Sequence, residues 1–255
     1  MSQPAYVRHA IAAATAASFT QYPSVQIDHG TGDNRVLLAW VYQDAGDAGT
    51  DFVSCYAGCT ASGSQSGGTA MTPAGVATTF SAGTKSARLF YLAGASLPTG
   101  TSYVVGDCAI NYRKPGVIAV LYDDAGGGPI TVSSAGNLSA SGTSHSLIVS
   151  GTTGAGNELM VGFAGVEAAI TLTSPATQRV SDATWIDARV FERAGAATST
   201  TINWTTAGAQ WENGSGVVLT GAAPAGPVIT GPSGAVMTGA AGQVNAFSAA
   251  AWRSL

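Results

Sequence analysis

His9, His29 and His145 are the three imidazoles of the chain and its only side chains that ordinarily titrate near neutral pH. A serine hydrolase would need a nucleophile on a sharp turn with Gly-x-Ser-x-Gly spacing. That spacing does not occur. Ser144 and Ser146 flank His145, but alternate residues of a strand face opposite sides, so neither hydroxyl shares a face with the imidazole. His145 is therefore expected to be a satisfied or solvent-facing side chain. Glycoside hydrolysis needs two carboxylates held across a sugar, one with a raised pKa. Asp123 and Asp124 are adjacent and read as solvated residues ending a turn, and Glu192 and Glu212 can be neither paired nor separated from the sequence. With only 14 acids and 10 bases, and no catalytic pair at a meaningful spacing, the chain is expected to be non-enzymatic and to carry no cofactor.

Hard metal ions are the other chemistry to weigh. Asp44, Asp47 and Asp51, with Gly46 and Gly49 between them, place three oxygen ligands in a turn-like stretch of the kind calcium accepts. The spacing is not that of an EF-hand, and an acidic solvated hairpin loop is the preferred reading. Cys55, Cys59 and Cys108 lack the paired spacing of a zinc site and read as buried reduced thiols, with one pairing open if Cys108 approaches either of the others. Tyr56, Trp185 and Trp211 are the candidates for stacking on a sugar, although large aromatics in a sandwich more often belong to the core.

These residues must be positioned by strands. Short runs rich in Val, Ile, Thr, Tyr, Phe and Trp alternate with Gly/Ser/Asn/Asp clusters. The pattern predicts strands at 24–29, 35–43, 52–57, 87–93, 102–112, 117–122, 144–149, 158–165, 176–181, 186–193, 200–205 and 216–220. Twelve strands are more than one open sheet carries comfortably, so two packed antiparallel sheets are expected. The unbroken apolar runs 36–42 (VLLAWVY) and 117–121 (VIAVL) are the expected central strands. The Ser/Gly/Thr/Ala stretch 60–79 is expected to be a surface excursion, and no helix of three turns is evident.

Charged residues make up 9% of the chain, against roughly 25% in an ordinary domain. The net charge is −4 and there are two lysines, Lys85 and Lys114, so the basic footprint of a nucleic-acid binder is missing. No apolar run approaches the roughly 20 residues of a membrane helix, and 11–17 is too rich in Ala and Thr for a signal peptide. Neither a nucleic-acid nor a membrane partner is expected. Composition shifts at Ala222: residues 223–255 are rich in Pro, Gly and Ala, hold one charge at Arg253, and end with Phe247 and Trp252. The expected organisation is an N-terminal arm at 1–4, a sandwich domain at 5–222 and an extended C-terminal arm at 223–255.

The stretches 29–38 (HGTGDNRVLL), 88–101 (RLFYLAGASLPTGT) and 158–162 (ELMVG) carry a resemblance. In this order they look like the β-sandwich, jelly-roll-like modules of bacteriophage virion proteins and some bacterial surface proteins, with 211–222 as the closing element. The resemblance implies an all-β antiparallel sandwich on the capsid surface of a virion, most plausibly a decoration (cement) protein docking on the major capsid protein or another virion protein. A homo-oligomer is also compatible with it. The stretch 60–79 and the tail after Ala222 depart from the pattern. The alternative is a receptor- or glycan-binding module of a tail fibre or a cell-surface adhesin. Whichever holds, Val228, Ile229, Phe247 and Trp252 are the expected apolar anchors of the tail on a partner chain, and Pro224, Pro227 and Pro232 favour an extended path for it.

Overall fold

The computed structural model describes residues 3–13, 22–44, 52–80, 85–108, 115–124, 128–166, 168–183, 187–222, 228–230 and 236–238. Their strands are β1 (Ala5–Ala13), β2 (Ser24–Asp28), β3 (Arg35–Asp44), β4 (Phe52–Cys59), β5 (Thr69–Ala70), β6 (Thr72–Phe80), β7 (Lys85–Ala93), β8 (Thr101–Cys108), β9 (Gly116–Asp123), β10 (Thr131–Thr153), β11 (Glu158–Val166), β12 (Ile170–Leu172), β13 (Thr177–Asp182), β14 (Asp187–Ala194), β15 (Ala197–Thr220), β16 (Val228–Thr230) and β17 (Val236–Thr238). The fold is an all-β antiparallel sandwich. Three sheets pack together, in the orders β1-β9-β3-β7-β6, β2-β8-β4-β5 and β10-β15-β11-β14-β13.

The apolar runs explain the layering. A strand covered on one face alternates, whereas one covered on both faces reads as a continuous hydrophobic run. In β3 and β9, Val36, Leu38, Trp40, Ile118 and Val120 pack against Val161, Phe163 and Val217 of the third sheet. The intervening Leu37, Ala39, Val41, Val117, Ala119 and Leu121 pack against Val25, Cys55, Ala57 and Val104 of the second. The two runs are central strands, as expected, but in the middle layer of a stack. Two sheets would have left one face of each run in water, and this is why there are more than two.

The third sheet adds a further layer by doubling back. β10 and β15 pair along most of their length, but the register jumps from Gly142↔Gln210 to Ser144↔Thr205. Beyond that jump the ribbon turns over its own first half. A Cβ built on Gly136 would lie 2.1 Å from the carbonyl oxygen of Ile148, and one on Gly216 would lie 3.1 Å from Leu147. Gly162 and Gly214 meet Leu147, Ile202 and Trp204 in the same way. Four glycines thus form a bed on which Leu147, Val149, Ile202 and Trp204 rest, beside Met160 and Phe191. β12 extends this outer layer by pairing with β15.

Besides the number of sheets, two expectations are corrected. The stretch 60–79 is not wholly a surface excursion, because β5 pairs with β4 and β6 pairs with β7. The separate strands expected at 144–149, 200–205 and 216–220 are parts of the two long strands β10 and β15. β1, whose sequence is rich in alanine, is a strand along β9. Of the strand expected at 102–112, residues 109–112 lie outside the described residues.

Candidate functional site

The bend of the doubled ribbon brings together residues that lie far apart in the chain. His145 opens the returning half of β10, and its inward direction follows from alternation: His145, Leu147 and Val149 are buried, while Ser144, Ser146 and Ile148 are exposed. Glu212 comes from the first-laid half of the ribbon and Trp204 from the returning half of β15. Both the imidazole and the carboxyl are fully buried, with His145 Nδ1 3.3 Å from Glu212 Oε2. His145 Nε2 lies 3.1 Å from the Gly142 carbonyl oxygen, to which it donates. The indole Nε1–H of Trp204 donates to Glu212 Oε2. The imidazole stacks on the indole with centroids 6.1 Å apart, and Phe191 covers the indole at 6.0 Å. Among the described residues neither Glu212 Oε1 nor His145 Nδ1 has a hydrogen-bond partner.

Burial sets the protonation of this cluster. It pushes the Glu212 carboxyl up to about 7, against the Trp204 hydrogen bond and with the nearby Asp187 carboxylate adding to the rise. Burial lowers the His145 imidazole, against the pull of the Gly142 carbonyl. Asp187 is itself held by Arg189, which donates from Nη2 at 2.7 Å, and by the Ile170 amide at 2.7 Å. At the other end of the returning half, the Glu158 carboxylate accepts from Thr153 N at 2.9 Å, Thr153 Oγ1 at 2.8 Å and Gly154 N at 3.0 Å. Its burial works to raise the pKa, but these hydrogen bonds hold the carboxyl below the usual range.

The other sequence candidates are dispersed. Glu192 does not join Glu212: Arg179 Nε donates to it at 2.7 Å, and it faces Tyr122 across the layer toward the central sheet. Asp123 is half-buried, but Asp124 is buried rather than solvated, because it accepts the amide of Ala222 at 3.0 Å where β15 ends. His29 is also buried, with Nε2 2.8 Å from Ser102 Oγ, while Arg35 ties the same turn by donating to the carbonyls of Gly32 and His29. The Asn-Arg stretch is thus a structural knot. Burial and the Arg35 charge push the His29 imidazole down to about 4.

Asp44 ends β3 opposite Lys85, and Asp47 and Asp51 lie outside the described residues. Among the described residues no three His, Cys, Asp or Glu side chains gather to hold a metal ion. Cys55 and Cys59 are free buried thiols, and burial raises both. Tyr56 is half-buried on β4, and Trp185 lies outside the described residues. A cleft of about 170 Å³ between β6 and β10 is lined by Pro73, Tyr91, Val132 and Val217 among others, with no Asp, Glu, His, Lys or Arg among the described residues of its wall.

Of the tail anchors, Val228 and Ile229 belong to β16, which pairs with β17 and with no other described strand. Phe247 and Trp252 lie outside the described residues. The point where the tail leaves is firmly fixed. Besides the Asp124 bond, Gly221 N donates to Asn157 O at 2.9 Å and Asn157 Nδ2 donates to Gly221 O at 2.7 Å. Comparison with protein-family models, with curated proteins and with solved structures found no match to this chain.

Proposed function

We propose that the chain is a non-catalytic structural component of a bacteriophage particle, a decoration protein of the capsid surface whose tail docks on the major capsid protein. The observation that carries this reading is the contrast at Ala222. Upstream, three sheets lock together and the chain exit is tied by Asp124 and Asn157. Downstream, the described residues form only a short hairpin, β16 with β17. A lone two-stranded hairpin is marginally stable in water, so such a segment gains its order from a surface to lie on. Each apolar anchor fully buried there would contribute roughly 1.5–3 kcal/mol. The burial of His145 and Glu212 also supports a structural role, since both are closed to a substrate.

The test is a chain ending at Ala222, added to isolated particles. It should keep the far-ultraviolet circular dichroism and melting temperature of the full chain and lose particle binding. Unchanged affinity in the truncated protein overturns the docking role of the tail. Binding of the full chain to cells or glycans, and not to particles, would replace the reading with adhesion.

A further inference from the structure

The bend of the doubled ribbon is held by a dry ionisable pair, and this has a consequence separate from any docking by the tail. The returning half, 144–153 with 197–205, is connected by pairing to the first half only across the bend, and its apolar residues rest on glycines. The four glycines give close contact without interdigitating, which is left to Met160, Phe191 and Val218. The polar ties therefore weigh heavily at the ends of the layer: His145 and Glu212 at the bend, Glu158 at Thr153 and Gly154.

We infer that the outer layer of the doubled ribbon is a proton-gated element, closed while His145 and Glu212 hold one proton between them and opened at the bend when the pair takes up a second. With one proton, Nε2–H of His145 satisfies Gly142 O, the Glu212 carboxyl carries the proton, and Nδ1 faces Oε2 at 3.3 Å without a hydrogen bond between them. The pair is then neutral overall, which a site closed to water tolerates. A second proton leaves an imidazolium facing a neutral acid. The charged groups on the elements packed against the pair do not offset it. Asp187 of β14 is committed to Arg189 and the Ile170 amide, Arg193 of β14 is committed to the Thr201 carbonyl oxygen, and Glu158 of β11 serves the far end of the layer. β12 carries no ionisable side chain. The excess charge is relieved by letting water into the bend, which bares Leu147, Val149, Ile202 and Trp204.

The experiment is hydrogen–deuterium exchange of the full chain from pH 6.5 to pH 4.5, corrected for the intrinsic pH dependence of exchange, with β9 as the internal reference. In the wild type, protection of 144–153 and 197–206 should fall about tenfold for each pH unit below the point where His145 takes up its proton in the open form. β9 should keep its protection over the same range. His145→Gln, which can still donate to Gly142 O, should abolish this step, and Glu212→Gln should retain it. Constant protection in the wild type down to pH 4.5, or an equal loss in His145→Gln, overturns the proposal. Should His145→Gln fail to fold, the ring resonances of His145 in the wild type decide: a pKa below the ordinary 6.5 supports the gate, and one at or above it overturns the gate.

Discussion

Glu212 reverses the usual pH argument for a carboxylate. Its carboxyl is raised from 4.5 to about 7 in the folded chain, so the folded state binds the proton more tightly than the unfolded one. The stability this brings is full below pH 4.5 and is lost as pH rises through 7. Glu212→Gln keeps an acceptor for the Trp204 indole and removes the charge. It should therefore gain on the wild type between pH 5 and pH 8, by up to about 3 kcal/mol, as read from urea unfolding at the two pH values. His29 has the opposite sign. Its imidazole is lowered to about 4, so the stability it supports is full above pH 6.5 and falls as pH drops from there toward 4. His29→Gln should flatten that acid limb while leaving the limb due to Glu212 in place. Trp204→Phe tests the partner of the carboxyl: it keeps most of the apolar contact and leaves the buried Oε2 without its donor, a loss of about 1–3 kcal/mol in the same measurement. None of these pairings shows in the sequence. Alternation places His145 on the inner face of a strand, but nothing in spacing says that Glu212 will lie beneath it.

At the scale of elements, the readable strands were those whose apolar residues had to satisfy a packed face. The runs in β3 and β9 announced themselves because both faces are covered. The first half of β10, with the sequence TVSSAGNLSASG, carries no apolar run because one of its faces is exposed and its covered face includes Gly136, on which Ile148 and Val149 lie. β6 was hidden similarly, by Pro73 and Gly75 in a strand at the edge of its sheet. Glycine here marks the close approach of layers as well as turns. The difference can be measured. Gly136→Ala would force its methyl to within 2.1 Å of the Ile148 carbonyl oxygen, a backbone atom that cannot rotate away, and should cost roughly 1–3 kcal/mol or more. Gly208→Ala meets nothing within 4 Å and should leave the melting temperature within a degree or two.

On the scale of the whole molecule, one cluster spans the central sheet and the third sheet, from Val36 and Trp40 to Phe163 and Leu219. Neither sheet can lose that face alone, so intrinsic fluorescence and circular dichroism should report one coincident thermal transition. Trp40→Ala removes the largest fully buried side chain of the cluster and should lower stability by about 3–5 kcal/mol while keeping the two curves superimposed. The tied exit at Ala222 also fixes how the molecule bears load. β15 runs between β10 and β11 and ends at Thr220, with Gly221 and Ala222 tied directly beyond it. Tension on the tail, directed along the strand, acts on the hydrogen bonds of both ladders together with those to Asp124 and Asn157, in shear and all at once. An unzipping geometry would break them one by one. A chain anchored to a particle by its C-terminal segment would thus pass a pulling force into the strongest direction of its own sheet.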